Sequence, residues 1–301
     1  MTDPVHYRIV HRTAYEYERA MADGYTIAHL IPRPTPAQVV EHADVAVDPA
    51  PDERAEHTDL FGNRVLQLGI HRSHRALTLV ATSEVVVETR APGGPGAPWD
   101  DVGRSLAGLR GGEALAVRPF AAASRYVPLD RVGGELRALA EPSFPAGRPI
   151  VDATADLCTR IHRSFEYDPS FTEISTPLAA VLDARRGVCQ DFAHLAVGCL
   201  RSLGLAARYV SGYLETSRRP GAVTVGADAS HAWCAVWTGP DGWVDFDPTN
   251  GRLPADGHAT VAWGRDYGDV TPVRGVVIGP RSQQTLTVEV RVERLAAASR
   301  M

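Results

Sequence analysis

A change of rhythm in the middle of the chain constrains its fold more than any other feature. From residue 189 apolar side chains recur at helix spacing, at Phe192, Leu195, Ala196, Cys199, Leu200 and Leu203, and Gly204 follows as a stop. Immediately afterwards the period falls to two. Arg208 to Leu214 reads as a strand, as do His231 to Thr238 and Trp243 to Asp247, and Gly239-Pro240-Asp241-Gly242 joins the last two as a hairpin. A helix followed by antiparallel strands buries both apolar faces by packing the helix on the sheet, which predicts an α+β unit.

Cys189 opens that helix, after Arg185-Arg186-Gly187-Val188. Unpaired N–H groups and the helix dipole favour negative charge at such a position, and so favour a thiolate. Taken alone, a free cysteine more often packs as a small apolar residue. A cysteine nucleophile needs a base, and the base needs an orienting acceptor. His231 opens one hairpin strand and Asp247 closes the other, so antiparallel pairing sets them side by side, where the helix N-terminus can face both. Asp245 is the rival acceptor, since residues two apart on a strand share a face. Asp191 is assigned to packing or substrate contact, and His194 is expected on the helix surface. His231 and Cys234 are an odd offset apart, which points them to opposite faces of a strand. With neither Cys-x-x-Cys nor His-Glu-x-x-His present, no metal site and no cofactor is predicted.

The rest of the chain frames this unit. Residues 1–95 read as an all-β domain, with strands at Tyr7 to Tyr17, Gly24 to Leu30, Val39 to Val47, Arg64 to Ile70 and Ala76 to Thr89, and a turn at Asp59 to Asn63. That succession fits a sandwich or open barrel. No catalytic cluster is visible there, and His57, His71 and His74 are expected to be solvated. The Pro- and Gly-rich run Ala91 to Pro98 leads into a connecting stretch, 96–149, with helical patterns over Trp99 to Leu109, Glu113 to Ser124 and Leu129 to Ala140. A catalytic core is assigned to 150–275. It opens with a helix from Ile150 that Asp152 could cap, with an apolar stripe of Ala155, Leu157, Ile161 and Phe165, and with Cys158 as a packing residue. A short helix, Leu178 to Ala184, leads on to Cys189. A loop rich in Gly, Pro and Arg covers 217–229, and 276–301 is expected to add one strand and a tail.

Composition removes several classes of function. At 301 residues, 44% hydrophobic and 22% charged, the chain is long enough for a sizeable core without disulfides. A net charge of −5 offers no basic surface for nucleic acid or membrane. No apolar run approaches the roughly 20 residues of a membrane span, and Met1 to His6 lacks a secretory pattern. Four cysteines in so long a chain suggest reduced thiols, so a cytoplasmic location is expected. No lysine occurs. All 31 of the Lys and Arg residues are arginine, which a codon bias towards G and C explains alongside the abundant Ala, Gly and Pro.

Three segments carry a more specific signal. Gly187-Val188-Cys189-Gln190-Asp191-Phe192-Ala193-His194, Ser230-His231-Ala232-Trp233 and Gly242-Trp243-Val244-Asp245-Phe246-Asp247-Pro248-Thr249-Asn250 resemble the bacterial transglutaminase-like family. Arg208 to Tyr213 and Gly264-Arg265-Asp266-Tyr267 resemble it too, and the first half looks like the β domain that precedes the core in the same group. The resemblance spans nearly the whole chain. It implies a papain-like, transglutaminase-like catalytic core with Cys189, His231 and Asp247 as a triad, and it favours Asp247 over Asp245. The family includes protein cross-linkers, amidases and cysteine peptidases, so it implies thioester chemistry on a protein or peptide substrate and leaves the substrate-binding residues open. Papain-like enzymes place a glutamine oxyanion donor ahead of the cysteine. None occurs from 150 to 188, so the Cys189 backbone N–H is the one donor identified. Hydrolysis by a cysteine protease or amidohydrolase is expected ahead of amine transfer. Transfer would need a site that excludes water, with Asp228, Asp245 or Asp266 as possible acids for an ammonium group. A non-catalytic peptide-binding scaffold would have no need of all three triad residues.

Overall fold

Strands dominate the first part of the chain: β1 (Val5–Met21), β2 (Asp23–Ala28), β3 (Gln38–Asp48), β4 (Glu53–Thr58), β5 (Arg64–Ile70) and β6 (His74–Val87). The structure is a computed structural model and describes residues 4–88, 93–215, 230–254 and 257–295. Helices α1 (Trp99–Ser105), α2 (Gly111–Val117) and α3 (Leu129–Ala140) come next. The core follows with α4 (Ile150–Ser164), β7 (Glu166–Tyr167), α5 (Leu178–Ala184), β8 (Arg186–Gly187), α6 (Cys189–Ser202), β9 (Ala207–Leu214), β10 (His231–Trp237), β11 (Trp243–Phe246) and β12 (His258–Gly264). Two more strands complete the described chain, β13 (Val273–Ile278) and β14 (Gln284–Arg294).

Two antiparallel sheets, ordered β14-β1-β6-β3 and β13-β2-β5-β4, enclose a core that includes Leu30, Ile31, Leu66, Leu68, Leu77 and Leu79. β4 escapes notice in the sequence because every one of its residues is exposed, as an edge strand allows, so no alternation marks it. The chain beyond 275 was expected to add one strand. Instead β13 and β14 both return to the first domain, with Tyr7 opposite Arg294 and Val273 opposite Ala28. His74 was expected in solvent but is buried. Its Nδ1 bonds to the Arg72 carbonyl at 2.9 Å, and its ring meets Tyr17 edge-on. His57 and His71 are exposed.

α3 has the bounds its apolar pattern predicts, Leu129–Ala140, but α1 and α2 are shorter than theirs suggested. Each ends in a 3-10 turn, Leu106–Gly108 after α1 and Arg118–Ala121 after α2, where Gly108 and Pro119 oppose continuation of an α-helix. α4 is uncapped by Asp152: its N-cap is Pro149, and Asp152 only adds acidic charge to the first turn. No helix among the described residues is long and apolar enough to cross a membrane.

The third large sheet, β11-β10-β9-β12, carries α6 on one face. α3 packs on α6 as well, so every residue from Asp191 to Arg201 is buried. The fold is therefore α+β, a core of helices on an antiparallel sheet behind a β-rich domain. Two side-chain amides join these parts. Gln38 accepts from the Thr260 N–H at 2.8 Å and donates to the Thr260 carbonyl at 2.7 Å. Asn63 accepts from the Trp263 N–H at 3.0 Å and donates to its carbonyl at 2.8 Å. β12 is an edge strand, and these amides occupy the place of a neighbouring one.

Candidate active site

Cys189 is the first residue of α6, and extended Val188 is its N-cap. The Val188 N–H donates to Asp191 Oδ2 at 2.9 Å, and Thr172 donates to the same oxygen at 2.8 Å. Asp191 thus holds the turn that presents the cysteine. Burial pushes its carboxyl upward, against those two donors. This turn accounts for Gly187, because a Cβ there would lie 2.7 Å from Asp191 Oδ2. Cys189 is half-buried, whereas Cys158, Cys199 and Cys234 are buried.

His231 begins β10, opposite Gly212 of β9. A Cβ on Gly212 would collide with the Ala259 carbonyl and the Trp233 ring, so glycine is what lets these strands close beside the histidine. The hairpin register sets Cys234 opposite Phe246, and Asp247 then turns back towards the start of β10. His231 Nε2 and Asp247 Oδ2 meet at 3.0 Å, both side chains 0% exposed. Asp247 Oδ1 accepts the N–H groups of Thr249 and Asn250 at 3.0 and 3.1 Å, and Oδ2 accepts Asn250 Nδ2 at 2.8 Å. Burial opposes ionisation of Asp247, but His231 and His258 outweigh it and hold the carboxyl far below the usual carboxylate range. Burial also opposes charge on His231. The Asp247 carboxylate and its hydrogen bond, with the Cys189 thiol beside it, overcome that and raise the imidazole to about 10. His231 Nδ1 is buried with no hydrogen-bond partner among the described residues, and the Cys189 thiol acts on the ring.

Asp245 takes a different place. It accepts from Trp233 Nε1 at 2.9 Å and stands 3.9 Å from Arg208. Asp266 caps the turn Tyr267–Asp269 and accepts from the Tyr126 N–H at 2.9 Å. Asp228 and the whole 217–229 loop lie outside the described residues. His194 is a correction: it was expected on the helix surface and is 3% exposed. Its ring stacks on Tyr126 at 5.4 Å, Nε2 accepts from the Tyr267 N–H, and burial lowers the imidazole to about 3. A helix with packing partners on two sides has no polar face to offer it.

His258 is the residue that sequence reasoning missed. Its Nε2 meets Asp247 Oδ2 at 3.0 Å, so one carboxylate oxygen serves two imidazoles. Burial lowers the His258 pKa, with partial opposition from Asp247, which makes it a neutral donor. Its one signal in the sequence is that, like His231, it begins a period-two run. His231, Asp247 and His258 place one potential metal-ligating atom each within 4.8 Å of one another. Both imidazoles already engage the carboxylate, and a metal would have to displace those hydrogen bonds. Cys234 lies apart from this group, with its thiol on the Phe246 carbonyl at 3.4 Å.

Two family profiles match the chain: the bacterial transglutaminase-like N-terminal region over residues 7–86 and the transglutaminase-like superfamily over 137–248. An uncharacterized protein of Mycobacterium tuberculosis is 39% identical over 300 residues, covering 95% of this chain and 92% of its own. One from Mycobacterium leprae is 35% identical over 292 residues, covering 96% of this chain and 99% of its own. Part of a protein-glutamine gamma-glutamyltransferase from Pseudomonas aeruginosa is 27% identical over 123 residues, 34% of this chain and 18% of that protein. A Cytophaga hutchinsonii protein of solved structure, provisionally assigned as a cysteine protease, shares the fold with a TM-score of 0.73 at 22% identity, covering 99% of this chain and 93% of that one.

Proposed function

The chain belongs to the bacterial transglutaminase-like family, and from that premise we propose that it is a cysteine-dependent amidohydrolase or peptidase acting on protein or peptide substrates. One observation carries the reading. A half-buried thiol at a helix N-terminus has beside it an imidazole whose Nε2 is tied to a buried carboxylate and whose Nδ1 has no partner among the described residues.

In this mechanism His231, raised to about 10, already holds the thiol proton at Nδ1, and the Cys189 thiolate attacks the amide carbonyl carbon. The carbonyl electrons move onto oxygen, where the Cys189 N–H at the helix terminus is a donor. The C–N bond then breaks, His231 returns the proton to the leaving amine, and a thioester remains. Water attacks the thioester as the now neutral His231 takes its proton, and the acid is released as the thiolate leaves, restoring the thiolate–imidazolium pair. Asp247 keeps His231 oriented and stabilises it while protonated. A cytoplasmic location belongs to the same proposal, supported by four unpaired cysteines.

Amine transfer is the second reading, favoured by the partial match to a gamma-glutamyltransferase. Incubation with a glutamine-containing protein and a fluorescent primary amine separates the two. Ammonia or peptide release that exceeds amine incorporation, and is lost in Cys189→Ala, is expected. Incorporation outpacing release would make the protein a transferase, and no Cys189-dependent turnover of either kind would favour a scaffold.

A further inference from the structure

On the sheet face away from α6, a cavity of about 660 Å³ lies between the β sandwich and the core. Its wall includes Arg208, Asp245 and His258 with Trp233, Trp243 and Trp263, and it does not include Cys189. Arg208 is the anomaly there. It is 8% exposed, and burial pulls its guanidinium down to about 10 against the influence of Asp245. The guanidinium carbon sits 3.7 Å from the Trp263 ring centroid and 4.5 Å from that of Trp243. Arg33 lies 3.2 Å from the Trp263 centroid, and two guanidiniums so close to one ring must occupy opposite faces.

The two arginines differ in what satisfies them. Arg33 donates to the Phe61 carbonyl and to Asn63 Oδ1. Arg208 makes no hydrogen bond among the described residues, whereas Arg33 shares with it only a buried Nε that has no partner there. Asp245 Oδ1 stands at 3.9 Å, beyond hydrogen-bond reach, and Oδ2 is engaged by Trp233. With indoles over the flat of the guanidinium, its N–H edge is what remains to face the cavity. A buried cation lacking acceptors is unfavourable until one arrives.

We propose that this cavity binds an α-carboxylate group with an apolar side chain, supplied by a peptide C-terminus or a free amino acid. The carboxylate lies on the fork of Arg208, the α-N–H finds Asp245 Oδ1, and the side chain rests on the indoles. Asp241 shares the wall, so a phosphate or other polyanion meets repulsion that a monoanion carrying an N–H donor offsets. The site is independent of the reaction assigned to Cys189.

Three of the five tryptophans line the cavity, so intrinsic fluorescence reports occupancy. The full chain is titrated with N-acetyl-L-phenylalanine, L-phenylalanine and L-phenylalaninamide. A saturable change with at least one of the carboxylates and none with the amide is expected, and the tighter of the first two names the source. Arg208→Lys, checked for native circular dichroism, should weaken binding at least tenfold because a single ammonium cannot reproduce the fork. The ligand comparison needs no variant and no turnover, so its failure leaves the hydrolase reading standing. Absence of saturable binding by both carboxylates, equal binding of the amide, or a folded Arg208→Lys with unchanged affinity would overturn the proposal.

Discussion

Asp247→Asn is the most incisive perturbation of the proposed triad. Oδ1 is held by two backbone N–H groups, from Thr249 and Asn250, so the amide oxygen of an asparagine would settle there. Its NH2 would then occupy the Oδ2 position, facing His231 Nε2 and His258 Nε2, which both now meet an acceptor at 3.0 Å. Two donors cannot face one another, so His231 Nε2 must become the acceptor and its proton must move to Nδ1. The ring then holds one proton and, with no carboxylate beside it, no longer takes the second that forms the ion pair with the Cys189 thiolate. The analogous change in another triad lowers kcat by about 10⁴, equivalent to about 5.5 kcal/mol of barrier. Asp245→Asn keeps an oxygen for Trp233 Nε1 and removes a charge 3.9 Å from Arg208, so its acylation rate should fall less than about tenfold, the worth of one neutral hydrogen bond. Single-turnover acylation by a p-nitrophenyl ester measures both, with circular dichroism as the check on folding. An Asp247→Asn protein that is folded and within tenfold of wild type, or an Asp245→Asn protein crippled instead, would refute the assignment.

Other expected outcomes follow from the same geometry. Iodoacetamide at neutral pH should modify Cys189 first, because it is the half-exposed thiol, while burial pushes Cys199 well up and contact with Cys158 plus burial does the same to Cys234; equal rates at Cys189 and Cys199 would contradict this. His258→Leu removes a hydrogen bond to a charged group, about 1.5–3 kcal/mol, so acylation should slow roughly tenfold to a hundredfold and its alkaline limb should move up as Asp247 acts more strongly on His231. Unchanged rate and profile would deny His258 that part. The Asp247–His231 pair should also make stability depend on pH. Asp247 is depressed, so its contribution is present above its unfolded value of about 3.9 and is lost as pH falls towards the folded one. His231 is raised to about 10, so its contribution is complete below about 6.5 and lost as pH rises through about 10. The Tm difference between wild type and Asp247→Asn should therefore be larger at pH 5 than at pH 10, and the reverse order would contradict the pairing.

What could be read in advance depended on whether the cause was local. α6 follows from the spacing of Phe192, Leu195, Cys199 and Leu200, and the hairpin from Gly239 to Gly242, so the approach of His231 to Asp247 was legible. The sandwich strands were legible where one face is buried and invisible in β4, where none is. His194 was misread because helical periodicity reports one apolar face, and α3 supplies a second contact from a distant part of the chain. His258 was missed because the register of β12 against β9 sets its position, and no residue near it in sequence announces that partner. The return of β13 and β14 was hidden for the same reason: alternation identifies a strand and is silent about its neighbours.

That return has a consequence for how the molecule is made. β1 lies inside its sheet, between β6 and β14, so one whole edge of an early-synthesised strand waits for residues near 284–294. At ribosomal speeds of about 5–20 residues per second the delay is on the order of ten to sixty seconds. Throughout that time β1 offers unpaired N–H and C=O groups to any passing strand. The core is in effect threaded through an unfinished sandwich and completes its own support last. A nascent chain stalled before β14 would thus already contain Cys189, His231 and Asp247, yet would still carry an open, aggregation-prone seam.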